Sequence, residues 1–158
     1  MAIREIVLSS DDFIRNKSRA VKIIDDKIIE LLDDMKETCL KANGSGLAAV
    51  QVGVLKRIFV ISINGVYLEF INPIIIDQKG EQEQIEGCLS VKKPYGYVKR
   101  PATITVKALD RCGNEFIFTA TDYTAIAICH EYDHLDGVLY TDKLVRYATR
   151  EELKDYYE

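Results

Sequence analysis

No apolar stretch in this 158-residue chain approaches the roughly 18 residues that a membrane-spanning helix needs, so no membrane partner is expected. The start, MAIREIVLSS, lacks an apolar core followed by a small-residue cleavage site, so it carries no visible secretory signal and a cytoplasmic location is expected. Blocks of Lys or Arg are also missing and the formal charge is -4, which argues against nucleic acid as a partner and against polyanionic substrates. None of the four cysteines, Cys39, Cys88, Cys112 and Cys129, forms a CxxC pair. A disulfide framework is therefore not expected, and each thiol stays available as a metal ligand. No repeat or linker interrupts the sequence, and its length suits one domain, residues 1–158, with a sizeable core. An apolar fraction of 47% and a charged fraction of 29% place it among ordinary globular proteins.

Histidine is scarcer still, and both copies fall in one short stretch, His130-Glu131-Tyr132-Asp133-His134. On a helix, residues four apart point the same way, so His130 and His134 can share a metal while Glu131, one step round, handles water. The run Tyr123 to Ile128 before them is mostly apolar and would bury the helix. The other reading of such a pattern is two histidines decorating a surface helix. A catalytic metal usually needs a third protein ligand and an open position. Asp133 is placed to accept a bond from a group that orients the site.

From about Ile24 to Ala42, Ile24, Ile28, Leu31, Leu32, Met35 and Cys39 recur at three- and four-residue spacing, which predicts an amphipathic helix ended by Asn43-Gly44. Residues 1 to 7 alternate loosely and suggest a short edge strand, followed by a turn at Ser9 to Asp12. The segment Gly44-Ser45-Gly46-Leu47-Ala48-Ala49-Val50-Gln51 has the glycine spacing of sharply turning backbone, but no GK[ST] follows to make it a phosphate loop. Gln51, set between Val50 and Val52, needs a partner for its amide, either a substrate carbonyl or the loop backbone.

Two hairpins are predicted, Arg57–Ile63 with Val66–Ile76 around Asn64-Gly65, and Thr103–Leu109 with Glu115–Thr119. Pro73 demotes its part of the first hairpin to an edge or a bulge. The polar stretch 81–84 leads into Ile85-Glu86-Gly87-Cys88-Leu89-Ser90-Val91. Cys88 is either the third ligand, completing a borderline-soft site for zinc or ferrous iron, or an inert buried thiol. Lys92 to Tyr97 reads as a turn-rich loop, rimming a pocket or lying on the surface. A helix should start near Thr121 or Asp122 and stop at Asp136-Gly137, and the charged tail from Glu151 is a short helix or frayed.

The segments GSGLAAVQ at 44–51, EGCLS at 86–90 and HEYDHLDG at 130–137, in that order, resemble the three signature motifs of the peptide deformylases. The resemblance extends over essentially the whole chain. It implies an α+β fold with antiparallel β-sheets packed around a central helix bearing HExxH. The implied activity is a metal-dependent hydrolase removing the N-terminal formyl group from formylmethionine of nascent polypeptides and releasing formate. It further implies Fe2+, replaceable by Zn2+, Ni2+ or Co2+, on Cys88, His130 and His134, with Glu131 as acid and base. By the same resemblance Gln51 and the backbone N–H of Leu89 steady the formyl oxygen. Backbone at Ser45, Gly46 and Gly87 holds the peptide extended, and Ile126 with apolar neighbours lines the methionine pocket. The origin of the substrate implies transient association with the ribosome.

The chain departs from the family pattern at Cys129, where a glutamine is common, at Val50, at Lys92 and in its SSDDFI start. The side chain of Cys129 points away from that of His130, which favours a packing role. Two rival functions share the motif: a metal endopeptidase, which needs a long open cleft, and an idle binding protein, which would have lost a ligand or the base.

Overall fold

The computed structural model of the chain describes residues 2–157, with the side chains of Lys93, Pro94, Tyr156 and Tyr157 outside that description. Met1 and Glu158, the ends of the expected domain, also lie outside it. Helix α1 runs Asp26–Lys41 and buries the predicted stripe of Ile28, Leu31, Leu32, Met35 and Cys39. It begins one residue after Asp25, whose carboxylate accepts the Ile28 N–H at 3.0 Å, so Ile24 stands ahead of the cap rather than inside the helix. It ends where Asn43 takes a positive φ of 55° and the Gly44 N–H returns to the Cys39 carbonyl.

An edge strand is expected at residues 1 to 7; residues 2–7 form none, and Met1 lies outside the described residues. Alternation needs a partner strand, and among the described residues none pairs with them. The extended start instead spends its donors on the Asp34 carboxylate (Ala2 N–H, 2.7 Å), the Thr38 hydroxyl (Arg4 N–H, 2.9 Å) and the Gln51 carbonyl (Val7 N–H, 2.7 Å). The Ser9 N–H reaches the Ser90 carbonyl. It is a strap across α1 and the loops of the site.

Five strands, β1 (Gly46–Ala48), β2 (Ile58–Ile63), β3 (Val66–Lys79), β6 (Thr103–Leu109) and β7 (Glu115–Thr121), form one antiparallel sheet in the order β1-β2-β3-β6-β7. The β2–β3 turn is Asn64-Gly65, both at positive φ as a two-residue hairpin turn requires. Pro73 coincides with a register shift between Ile71 and Ile74, so it marks a bulge, and β3 is a central strand. Strands β4 (Gln82–Cys88), β5 (Val91–Arg100) and β8 (Leu144–Tyr147) make a second sheet in the order β4-β5-β8. The loop expected at Lys92 to Tyr97 is thus a strand, paired on both sides despite Pro94 and Gly96.

Strand β2 shows why both faces of the large sheet are covered. Phe59 and Ile61 pack into one apolar cluster with Phe70, Val106 and Ile128, while Ile58 and Val60 pack into another with Leu31, Leu32 and Met35. Successive side chains of a strand point to opposite faces. Helix α1 therefore covers one face and helix α2 (Asp122–Leu135) the other. Helix α2 is held between this sheet and the smaller one, and a terminal helix α3 (Arg150–Tyr157) closes the chain. The architecture is α+β, with antiparallel sheets around the helix that carries HEYDH.

Candidate active site

Helix α2 spans the predicted boundaries without help from a capping side chain, since Thr121 makes no such bond. Packing rather than capping sets it: Ala125, Ile126 and Ile128 are buried in the run that precedes His130. The start of that run departs from it, Tyr123 with 47% of its surface exposed and Thr124 half-buried. One turn apart, the rings of His130 and His134 stand 5.0 Å centre to centre, both buried. Strand β4 ends opposite them, and Cys88 Sγ lies 3.4 Å from His134 Nε2. The ligand atoms of Cys88, His130 and His134 all fall within 4.8 Å of one another.

These donors fit a divalent metal. One sulfur and two imidazole nitrogens converge from two elements, a borderline-soft set of the number a catalytic site uses. Beside them Glu131 Oε1 is buried with no hydrogen-bond partner among the described residues, an acceptor left for a water or substrate proton. Burial pushes the Glu131 carboxyl up to about 7, in the range useful for moving a proton near neutrality.

The imidazoles are held differently. His130 presents Nδ1 to Glu86 Oε1 at 2.9 Å. Glu86 in turn accepts from Arg100 Nε at 2.8 Å and Nη2 at 3.0 Å, and Arg100 Nη1 donates to Asp133 at 2.6 Å. Burial opposes the charge on Glu86, but the bonds from His130 and Arg100 prevail and hold its carboxyl below the usual range. Burial also opposes charge on His130, yet the carboxylates of Glu131 and Glu86 and the Cys88 thiol raise its pKa well above the imidazole norm. His134 is lowered well below the imidazole norm by burial and by the charges of His130, Arg100 and Arg15. Asp133 thus has the orienting place expected of it, through Arg100. Glu86 and Arg100 were not anticipated from sequence.

Gln51 is buried and bonded at both ends of its amide. Oε1 accepts from the Ala48 N–H at 2.9 Å, while Nε2 donates to the Ser90 hydroxyl at 3.0 Å and lies 3.6 Å from Cys88 Sγ. The loop-backbone partner expected for this amide is the one observed, at Ala48, and its Nε2 lies at the cavity beside Cys88. A cavity of about 320 Å³ opens here, lined by Gln51, Cys88, Leu89, Ile126, His130 and Glu131.

Two open strand edges flank the cavity, β1 and β4, each the outer strand of its sheet. The Ser62 N–H donates to the Ser45 carbonyl, so strand alternation turns the N–H and C=O of Gly46 toward the free edge. A side chain at Gly46 would come within 2.8 Å of Glu131 Oε2, and one at Gly87 within 2.2 Å of the Tyr95 ring. Both positions keep backbone accessible where a β-carbon would intrude. Of the predicted residues, Ser45, Gly46, Gly87 and Leu89 all border the cavity.

The model of the polypeptide deformylase family matches residues 3–150. The chain belongs to the peptide deformylase family. Peptide deformylases from Acetivibrio thermocellus and Caldicellulosiruptor bescii are each 49% identical to it over 154 residues, covering 98% of this chain and 91% and 93% of theirs. The crystal structure of a peptide deformylase from Legionella pneumophila superposes with a TM-score of 0.88 at 38% identity, over 99% of this chain and 96% of that one. One from Thermotoga maritima superposes at 0.89 with 30% identity, over 92% and 100%.

Of the departures found in sequence, Val50 and Cys129 sit in the interior of this deformylase fold, while Lys92 and residues 9–12 of the SSDDFI start are exposed. Val50 and Cys129 belong to the apolar cluster under the large sheet, and burial pushes the Cys129 thiol up to about 11. Cys129 is therefore a packing group, buried within electrostatic reach of Arg100, Asp133 and Glu86. Tyr95, Ile85, Ala127 and Tyr123 also line the cavity; Tyr95 lies in the segment read as rimming a pocket or lying on the surface and Ala127 is an apolar neighbour of Ile126, while nothing in the sequence singled out Ile85 or Tyr123.

Proposed function

We propose that one catalytic domain, residues 1–158, hydrolyses the formyl amide of N-formyl-methionyl peptides at the centre formed by Cys88, His130, His134 and Glu131. Membership of the family supplies the reaction: removal of the N-formyl group from nascent peptides. The observation that carries the residue assignment is the convergence of three ligand atoms within 4.8 Å beside a buried, partnerless carboxylate oxygen.

Cys88, His130 and His134 would hold the metal, ferrous iron by resemblance to the family, with zinc, nickel or cobalt able to replace it. When bound, such an ion supplies Lewis acidity, lowering the pKa of water and polarising the formyl oxygen. Glu131 takes the proton from the attacking water at Oε1 and afterwards delivers it to the leaving amine. Gln51 Nε2 and the Leu89 N–H donate to the oxygen on which negative charge develops. The water oxygen is retained in formate, and the peptide leaves with a free N-terminal methionine.

The peptide enters as an extended segment between the β1 and β4 edges, bonded by backbone at Ser45, Gly46 and Gly87. Ile126 and its apolar neighbours receive the methionine. A formylated N-terminus first appears at the ribosome, which supports transient association there, and a cytoplasmic location accords with that source. No helix among the described residues is long and apolar enough to cross a membrane.

The test is formate release from formyl-Met-Ala-Ser by protein purified without oxygen and loaded with iron. Turnover by the native sequence and its near-complete loss in Glu131→Gln are expected. Near-normal activity of Glu131→Gln, or cleavage of internal peptide bonds instead of formate release, would overturn the assignment.

A further inference from the structure

Two hydroxyls outside the reaction just described meet at the mouth of the site. Ser45 Oγ and Tyr123 Oη lie 2.6 Å apart, one donating to the other, and join the β1 loop to the first turn of α2. Tyr123 stands where three hollows converge: the site cavity, a polar hollow of about 600 Å³ bounded by Ser62, Asn64 and Thr124, and a groove of about 680 Å³ bounded by Gln84, Tyr97 and Asp155. Ser45 borders the first two. The bonded pair is thus a partition between the site cavity and the polar hollow.

The backbone under Tyr123 is fixed for this placement. Asp122 adopts φ of 52°, a left-handed conformation that is costly for a residue with a β-carbon. It is held from both sides, by its N–H on the Ala102 carbonyl at 3.0 Å and by Gln82 Nε2 on its own carbonyl at 2.9 Å. Strain kept in place by two bonds directly before the tyrosine sets the direction in which the ring projects. The ring itself is half-exposed, and the hydroxyl bond ties its far end to the β1 loop.

We propose that the Ser45–Tyr123 hydroxyl pair is a specificity-determining clasp, which fixes the tyrosine ring as a wall of the site cavity and so limits the width of the side chain accepted next to the formyl group. This rests on the deformylase reading above. A methionine side chain is narrow and flexible and fits beneath the wall. A phenylalanine or tryptophan side chain is wider and enters well only when the ring swings toward the polar hollow. Losing either hydroxyl frees that swing.

The experiment compares kcat/KM for formyl-Met-Ala-Ser and formyl-Phe-Ala-Ser, read as formate released, in the iron-loaded native protein, Ser45→Ala, Tyr123→Phe, the double variant and Ser45→Thr. Each single loss of a hydroxyl should lower the preference for methionine by about three- to tenfold, the scale of one neutral hydrogen bond. The double variant should fall no further than either single one, because both remove the same bond. Ser45→Thr, which keeps a hydroxyl, should keep the preference. If the native protein turns over the methionine substrate while both single variants hold the ratio within about twofold, or their effects multiply, the clasp is wrong and the deformylase reading stands. If the native protein releases formate from neither peptide, that reading falls and the clasp with it.

Discussion

Glu86 Oε1 lies 2.9 Å from His130 Nδ1, so β4, which ends in Cys88, also sets the orientation of the imidazole beside it. Arg100 grips the same carboxylate with two nitrogens and ties it to Asp133 on α2. Two ligands on different elements are thereby locked to one buried ionic network. Glu86→Gln keeps the shape but removes the charge, and should weaken metal retention by about 10- to 100-fold. Competition with a graded chelator, followed by metal analysis, measures this. Unchanged retention would mean that the network serves folding alone.

Gly46 carries a prediction of opposite kind, in which adding one carbon disables the base. A β-carbon there meets Glu131 Oε2 at 2.8 Å, so Gly46→Ala must displace the carboxylate. Formate release should fall at least about tenfold, a displacement of roughly 1.4 kcal/mol in transition-state stabilisation. Circular dichroism and metal content should stay those of the native protein. Full activity in the variant would show that Glu131 has room to move without consequence.

Gln51 offers its Nε2 toward Cys88 because Ala48 and Ser90 fix the two ends of the amide. Gln51→Ala should lower kcat by about 10²- to 10³-fold with a much smaller change in KM, the pattern of a donor used in the transition state. Ser90→Ala, which only loosens the amide, should show a weaker version of the same pattern. Steady-state kinetics with formyl-Met-Ala-Ser decide it, and a pure KM effect would assign Gln51 to ground-state binding.

The N-terminal strap supplies a pH dependence. Burial opposes the charge on Asp34, but the Ala2 N–H and the Arg4 guanidinium outweigh it and hold the carboxyl below its usual value. A depressed folded-state pKa means that the stabilisation is present above the unfolded value, about 3.9, and disappears as pH falls through the folded value. Melting temperature should therefore drop more steeply below about pH 4 in the native protein than in Asp34→Asn. Parallel acid limbs for the two proteins would show that the strap contributes nothing.

What could be read in advance followed the length scale of the forces involved. Helix α1, helix α2 and both hairpins were legible because their periodicity and turn residues are local properties of the chain. Strand β5 was not: Pro94 and Gly96 are loop signals, and its strand character comes from pairing with β4 and β8. The N-terminal residues erred in the other direction, alternating like a strand with no strand to pair with. Within the site, Cys88, His130, His134, Glu131 and Gln51 stood out by chemical type. Glu86 and Arg100 did not, since charged residues in polar runs ordinarily face water, and only the tertiary fold buries them together. Tyr123 was placed in the apolar run, and its exposure follows from the strained turn before it.

The account stands most directly on one titration. Protein stripped of metal is returned to ferrous iron in increments without oxygen, and formate release from formyl-Met-Ala-Ser is followed alongside bound iron, for the native sequence and for Cys88→Ala. Activity should rise in proportion to bound iron, level off at one equivalent, and be absent from Cys88→Ala at every point. Activity that is independent of bound metal, or that survives the loss of Cys88, would contradict a centre built on Cys88, His130 and His134.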